Sequence, residues 1–362
     1  MLVPVYAYIG YPASLLALRL FLRRPVRKRS CTPFVSLLIP AYNERDVIAR
    51  KIQNSMDLDY PAGRLEIVVA SDGSTDGTAE AAQQFAGSGR VRVLAFPQNR
   101  GKVATLNASI PELRGEVIVF SDAPALLLPD SVRVLVENFA DPEVGAASGL
   151  YKVVKADQVN IGASEDLYWR YETFLKVQES ELASTLGGHG HLHAIRKDLY
   201  PFPNAATIND DYVIPVSVLA KGFRAVYEPR AIVYEEAQEM TGFGRRVRIM
   251  AGNLQQLREI KTLLVPLRPL PLFFFLSHKV SRLLVPFAML AAIAANLFLL
   301  GSPLYLALFV AQLAFYALAA LGTIWRLRPK ALMLPFYFCM INLATFFGFY
   351  HALTRRRTLA WE

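Results

Sequence analysis

The sequence predicts an open α/β sheet carried between apolar segments that belong in or on a membrane. Four short apolar runs, at residues 34–39, 65–70, 91–96 and 116–121, alternate with helical stretches, as in sheets covered on both faces. The first 22 residues are apolar enough to cross a bilayer, and three further apolar blocks follow residue 282. With 53% hydrophobic and 19% charged residues and a mean hydropathy of +0.29, the 362-residue chain is too apolar for an ordinary soluble enzyme.

Residues 1–22, "MLVPVYAYIGYPASLLALRLFL", are expected to form an N-terminal membrane anchor, although Pro12 and Arg19 interrupt it. A cleaved signal peptide fits less well, because the basic cluster "RRPVRKRS" follows the apolar run and no small-residue cleavage pattern does. The net charge of +9 sits largely beside apolar runs, at 23–30, 326–330 and 354–357. That placement fits anionic membrane lipids as partners and argues against nucleic acid. It also predicts a multi-pass protein of the cell (inner) membrane with its catalytic domain cytosolic. Cys31 and Cys339 lie in unlike contexts, so no disulfide between them is expected.

One domain is expected over 33–260, with strands "FVSLLI", "LEIVVA", "VRVLAF" and "EVIVFS" and a helix opening near Asp76. In such sheets ligands bind beyond the carboxyl ends of the strands. Residues 264–281 mix prolines and phenylalanines with Arg268, His278 and Lys279, which predicts a segment lying in the membrane interface. Transmembrane helices are expected over 282–350, the last block broken or re-entrant at Pro335, Asn342 and Gly348. Residues 351–362 form a basic tail.

Four motifs fall in order after the four strands: "IPAYNER" (39–45), "ASDGSTDGT" (70–78), "NRGKVATLN" (99–107) and "FSDA" (120–123). Singly, each reads equally well as an ordinary strand–turn–helix connection. As a series, they resemble the inverting family 2 glycosyltransferases, whose GT-A fold binds nucleotide sugars, with the likeness running from about 33 to 260. The resemblance implies that Ala41, Tyr42 and Glu44 border the nucleotide, that Asp72 accepts a hydrogen bond from the uracil of a UDP-sugar, and that Lys102 meets phosphate at a helix start. Asp122 matches the first carboxylate of the family's Asp-x-Asp, whereas Pro124 stands where the second belongs. A Mg²⁺ or Mn²⁺ cofactor would then rely on Asp122, the diphosphate and water.

The segment "TLGGHGHLHAIRKDLY" (185–200) resembles the family's acceptor-side glycine-rich stretch, which places His189 and His191 beside the acceptor. His189, His191 and His193 alternate and would share one face of a strand, yet no cysteine or fourth ligand is nearby for zinc. In "TINDDYVIP" (207–215) the resemblance assigns Asp211 as the general base that takes the acceptor's proton, with Asp210 as a helix cap. In "GFGRRVRIMAGN" (242–253), Arg245, Arg248 and Ile249 stand in place of the Gln-x-x-Arg-Trp of polymerising members. Arg248 keeps a guanidinium for the diphosphate, and the missing Gln and Trp argue against processive polymerisation.

The function these residues predict is a membrane-anchored transfer of a sugar, with inversion, from a nucleotide sugar to a lipid-linked or membrane-proximal acceptor in polysaccharide or envelope glycan synthesis. Two alternatives stay open: a processive synthase of the cellulose, chitin or hyaluronan kind, and an inactive nucleotide-sugar-binding partner of an export complex, for which Pro124 is the motive.

Overall fold

The structure, a computed structural model, describes residues 2–154, 163–236, 242–325 and 330–354. Helix α1 covers Leu2–Leu22. Then come β1 (Val35–Ala41), α2 (Arg45–Met56), β2 (Leu65–Asp72), α3 (Thr78–Gln83), β3 (Val91–Phe96), α4 (Lys102–Ser109) and β4 (Val117–Phe120). The next stretch holds β5 (Leu126–Leu127), α5 (Ser131–Val136), β6 (Val144–Val154), α6 (Ala163–Leu182), β7 (His193–Arg196), α7 (Asp210–Ala220) and β8 (Arg224–Glu236). Helices α8 (Gly242–Gln255) and α9 (Ile260–Leu264) lead into α10 (Pro269–Phe298), α11 (Pro303–Trp325) and α12 (Lys330–Thr354).

The strands form one sheet of order β3-β2-β1-β4-β7-β6-β8-β5. Its β1–β4 half is parallel, as the near-continuous apolar runs predict, and every residue of β1, β2 and β4 is buried. The other half is mixed: β7 runs antiparallel to β4 and β6, while β6 and β8 are parallel. Side chains alternate between two apolar cores, so Val35, Leu37 and Ile39 point to one face while Leu38, Ile118 and Phe120 point to the other. Trp169 joins the first core and α7 the second.

Helices α1 and α10 and the stretch Pro303–Gly322 of α11 are long and apolar enough to cross a membrane. Helix α1 nevertheless has one face on the sheet domain, with Tyr11 and Leu15 fully buried against it. Arg19, which looks out of place in an apolar run, pairs with Glu181 at 2.6 Å. The structure replaces the expected break between an interfacial segment at 264–281 and a first span at 282. Residues 269–298 form one helical run with a π turn at Phe275–Val280, and Phe274, Phe275 and His278 are buried. His278 is drawn inside because Glu179 and Glu172 meet its two ring nitrogens, at 2.6 and 3.3 Å.

The expected interruption of the last block is also absent, since α12 is continuous through Pro335, Asn342 and Gly348. The Asn342 amide is satisfied within the helix, donating to the Phe338 carbonyl at 2.8 Å. Gly348 serves close packing: a Cβ there would come within 2.7 Å of Met250 Cβ on α8. Residues 326–329 and the basic tail beyond Thr354 lie outside the described residues.

Candidate active site

The site gathers where the parallel strands end. Asp122 follows β4 by two residues on a loop held from behind: Ser121 receives a hydrogen bond from Lys51 Nζ at 2.6 Å and donates to the His191 carbonyl at 2.9 Å. Lys102, the first residue of α4, places its ammonium 2.9 Å from Asp122 Oδ1 and 3.4 Å from Asp210 Oδ2. Asp210 and Asp211 open α7, and the Asp211 carbonyl accepts from the Gly188 amide at 2.7 Å. These segments meet at Gly190. A Cβ there would lie 3.6 Å from Asp122 Oδ2, 3.8 Å from Lys102 Nζ and 3.9 Å from Asp211 Cβ, so a larger residue would project into the centre.

His191 closes one side. Its Nε2 is 3.2 Å from Glu235 Oε2 and 4.0 Å from Asp122 Oδ2, and its ring stacks on Tyr151, which itself donates to Glu235 at 2.8 Å. The three alternating histidines do not share a face. His189 is buried beside Lys176, with its Nε2 3.3 Å from the ammonium, and His193 stacks on Phe120.

Charge in this cluster is set by competition between burial and pairing. Burial pushes the Asp122 carboxyl up, but Lys102 and His191 outweigh it and hold the group below the usual aspartate value. Lys102 is the mirror case, with burial overcome by Asp122 and Asp210 so that its ammonium is held more tightly than usual. Asp211 goes the other way: burial and the neighbouring Asp210 raise it, opposed by Lys102, Lys176 and Lys279. Glu44 is pushed up to about 7 by burial and by Asp122, Glu235 and Asp76.

The nucleotide-side residues divide. Ala41 ends β1 fully buried, with half-buried Tyr42 and Glu44 on the rim beyond it. Asp72 differs from its expected use. It is fully buried, and its oxygens accept from the amides of Arg100 at 3.0 Å and Gly101 at 2.8 Å. The loop lies so tightly over Gly73 (φ +67°) that a Cβ would strike Asn99 N. In this conformation Asp72 fixes the loop that starts α4 and offers no open surface to a base. Arg248 lies half-buried on α8.

Helix α8 braces the acid pair. Gly252 lets it approach Asn209, whose amide donates to Ile249 O at 3.3 Å and Asn253 Oδ1 at 3.0 Å. Gln255 holds the same turn through Ile208 N at 3.0 Å and Ala206 O at 3.1 Å.

A divalent cation fits this donor set narrowly. Among the described residues no group of three or more His, Cys, Asp or Glu could hold a metal. Asp122 therefore suits only an ion that takes most of its ligands from phosphate and water, as Mg²⁺ does.

Two buried lysines escape a motif reading. Lys51 bonds Ser121 and the Ala125 carbonyl beneath the Asp122 loop, and burial lowers it to about 7. Lys176 bonds the Gly188 carbonyl at 2.9 Å, and burial followed by the Lys279 charge lowers it to about 8. A signal for Lys51 exists in the sequence, because it falls on the α2 face of Ile48, Ile52 and Ser55, where only core residues belong.

Comparison with known proteins agrees with this architecture. The Glycosyl transferase family 2 model matches residues 36–201. A poly-β-1,6-N-acetyl-D-glucosamine synthase of Staphylococcus aureus is 24% identical over 270 residues, covering 69% of this chain and 62% of that protein. A β-monoglucosyldiacylglycerol synthase of Nostoc sp. is 33% identical over 170 residues, 44% of this chain and 34% of that one. The chain thus spans under two thirds of the length of either relative. Among solved structures, the mannosyltransferase PcManGT from Pyrobaculum calidifontis, in complex with GDP-Man and Mn²⁺, shares the fold at a TM-score of 0.70 and 23% identity, over 99% of this chain and 100% of that one. The GT-A sheet, with Asp122, Lys102 and the Asp210–Asp211 pair gathered at its strand ends, thus carries a stretch, residues 36–201, that is similar to the family 2 glycosyltransferases.

Proposed function

We propose that the protein transfers a sugar, with inversion at the anomeric carbon, from a nucleotide sugar of the UDP-linked kind to a lipid-linked or membrane-proximal acceptor in envelope or polysaccharide glycan synthesis. The observation that carries the reading is the meeting of Asp122, Lys102 and Asp211 around Gly190. Asp211 would accept the acceptor hydroxyl's proton as its oxygen attacks the anomeric carbon, while the bond from that carbon to the nucleoside diphosphate breaks. Its raised pKa suits a base that must hold a proton through the attack. Lys102 and Arg248 would steady the departing diphosphate, and Tyr42 and Glu44 would border the nucleotide, with Ala41 beneath them and Asp72 fixing the adjoining loop.

A Mg²⁺ or Mn²⁺ held by Asp122 would add neutralisation of the leaving charge. His191 and His189 line the side toward the acceptor, where Glu235 fixes the His191 ring and Lys176 fixes His189. The apolar helices and the names of the two relatives, one a synthase of a glycolipid, support a membrane acceptor. A catalytic part over 33–260 and a membrane part over 282–350 fit this reading, with α10 beginning between them at Pro269. The test is a panel of UDP-, GDP- and dTDP-sugars given to the purified full chain in detergent, scored for thermal stabilisation and nucleotide release. Stabilisation by one nucleotide class with sugar-dependent release supports the assignment. No stabilisation and no release by any donor refutes it.

A further inference from the structure

The chain between β4 and β5 carries Asp122 but supplies little of its own support. Its turn is closed by the Ala125 amide on the Asp122 carbonyl at 3.2 Å, and Pro124 has no amide to add. Helix α2 supplies the rest. Lys51 and Asn54, three residues apart, reach the turn from the same side of that helix. Lys51 donates to the Ser121 hydroxyl at 2.6 Å and to the Ala125 carbonyl, so that one ammonium grips the residue before Asp122 and the residue that ends its turn. Asn54 exchanges two bonds with Leu127, both at 2.9 Å, and holds the far end.

The grip continues across the site. Having accepted from Lys51, the Ser121 hydroxyl donates to the His191 carbonyl at 2.9 Å, and His191 Nε2 stands 4.0 Å from Asp122 Oδ2. Lys51 thus reaches two walls of the centre, the Asp122 turn directly and the Gly190–His191 segment through one hydroxyl. As a mere filler this residue type is costly. Lys51 is fully buried on the face of Ile48 and Ile52, and both of its hydrogen-bond partners are neutral, so the ammonium gains no ion pair from them. A methionine has nearly the same length and packs in such a place without that cost. What methionine lacks is the donors.

We propose that Lys51 is a positioning residue for the transfer: by spanning Ser121 and Ala125 it sets the Asp122 carboxylate where the donor's diphosphate and its cation meet it, and through Ser121 it fixes the facing His191 segment. This rests on the transfer reading above and adds a residue to it. Lys51 touches neither substrate nor cation and acts through the backbone it holds. With Pro124 in place of a second carboxylate, the one carboxylate left has to be well placed, and the strut supplies that placement from behind.

The experiment compares the full native chain in detergent with three variants, by hydrogen exchange read in a mass spectrometer and by nucleotide release against Mn²⁺ concentration. Lys51→Met should melt within about 3 °C of the native chain, because relief from burying the charge offsets the unpaired Ala125 carbonyl. Its amides at 122–125 should exchange about tenfold faster, with those of β2 unchanged. The Mn²⁺ needed for half-maximal release should rise about tenfold while turnover at saturating Mn²⁺ stays within about threefold, the split expected when a ligand is misplaced and not removed. Native exchange at 122–125, native Mn²⁺ dependence, or full release by the native chain in chelator overturns the proposal. Asn54→Ala, which frees only Leu127, should leave the Mn²⁺ dependence as it was. An equal rise there would mean that any loosening of the turn against α2 has the effect, and the role of Lys51 falls. Should Lys51→Met not fold, Ser121→Ala decides, since it keeps the ammonium on Ala125 and cuts the link to His191. A rise of about threefold supports the strut, and native Mn²⁺ dependence overturns it. A native chain that releases nucleotide from no donor refutes the transfer reading and this role together, whereas any failure above with native turnover intact removes this role alone.

Discussion

Replacing Gly252 by alanine tests whether α8 holds the acid pair in place. The added Cβ would sit 2.5 Å from Asn209 Oδ1, 2.6 Å from Cγ and 2.7 Å from Nδ2, so the amide must leave. Its departure breaks the bonds to Ile249 O and Asn253 Oδ1, each worth about 0.5–1.5 kcal/mol, and adds an overpacking cost of about 1–3 kcal/mol. Gly252→Ala should therefore destabilise by about 2–6 kcal/mol, and Asn209→Ala, which loses only the bonds, by about 1–3 kcal/mol. In the double variant all three clashing atoms are gone, so its cost should equal that of Asn209→Ala, a coupling as large as the whole cost of Gly252→Ala, about 2–6 kcal/mol. Unfolding of the full chain in detergent gives the four stabilities, and transfer assays on the same samples should show turnover falling in Gly252→Ala and recovering in the double variant. Additive costs, within about 0.5 kcal/mol, would mean that the contact at Asn209 does not carry the effect.

The remaining predictions concern the chemistry and the topology. Asp211→Asn should lower transfer by at least 100-fold while donor stabilisation persists, and normal turnover would remove Asp211 as the base. Since the base must be ionised and its pKa is raised by burial and by Asp210, activity should fall as pH drops through that raised value. Asp210→Asn should move this acid limb to lower pH, and an unmoved limb would show that another group controls it. Pro124→Asp should reduce the Mg²⁺ or Mn²⁺ needed for half-maximal activity several-fold, whereas full activity of the native chain in chelator would exclude a metal on Asp122. A reporter fused after Glu362 should lie on the same side as the catalytic domain, because Gly348 on the last helix packs against α8, and a signal from the opposite side would refute it.

The parallel half of the sheet was legible because its strands are buried on both faces and so read as unbroken apolar runs. The run 91–96 became β3 with those bounds, and 65–70 became β2 with two residues more. Strand β6 was illegible for the opposite reason. Its Val144–Leu150 portion is rich in glycine, alanine and serine, which have little strand preference, and Gly149 is required by packing, since a Cβ there would lie 2.5 Å from the Ala231 carbonyl. At the site, Asp122, Lys102, Asp210 and Asp211 could be named from motifs, and the structure brings them together. Lys176 and Glu235 could not be named, because they reach the site from elements distant in sequence and carry no local signature, whereas the one signal for Lys51 is its place on the apolar face of α2. Asp72 shows the limit of a motif: the residue type was right for a hydrogen-bond acceptor, but its donors are the chain's own amides.

The charged face of α6 bears on what can be cut from this protein and still fold. Glu172 and Glu179 are almost wholly buried, and the groups that neutralise them come from α10, with Tyr11 of α1 adding a hydrogen bond. Between them on the same face, Lys176 holds Gly188 in the wall of the active site. The composition boundary near residue 260 is thus no folding boundary. A fragment limited to 33–260 would strip both carboxylates of their partners, at a cost of about 3–5 kcal/mol for each broken buried pair. It would uncover the apolar bed of Tyr11, Phe274 and Phe275 as well. The sheet domain and the helices beside the membrane are one cooperative unit, so a soluble catalytic core would have to be redesigned at Glu172 and Glu179 before it could be excised.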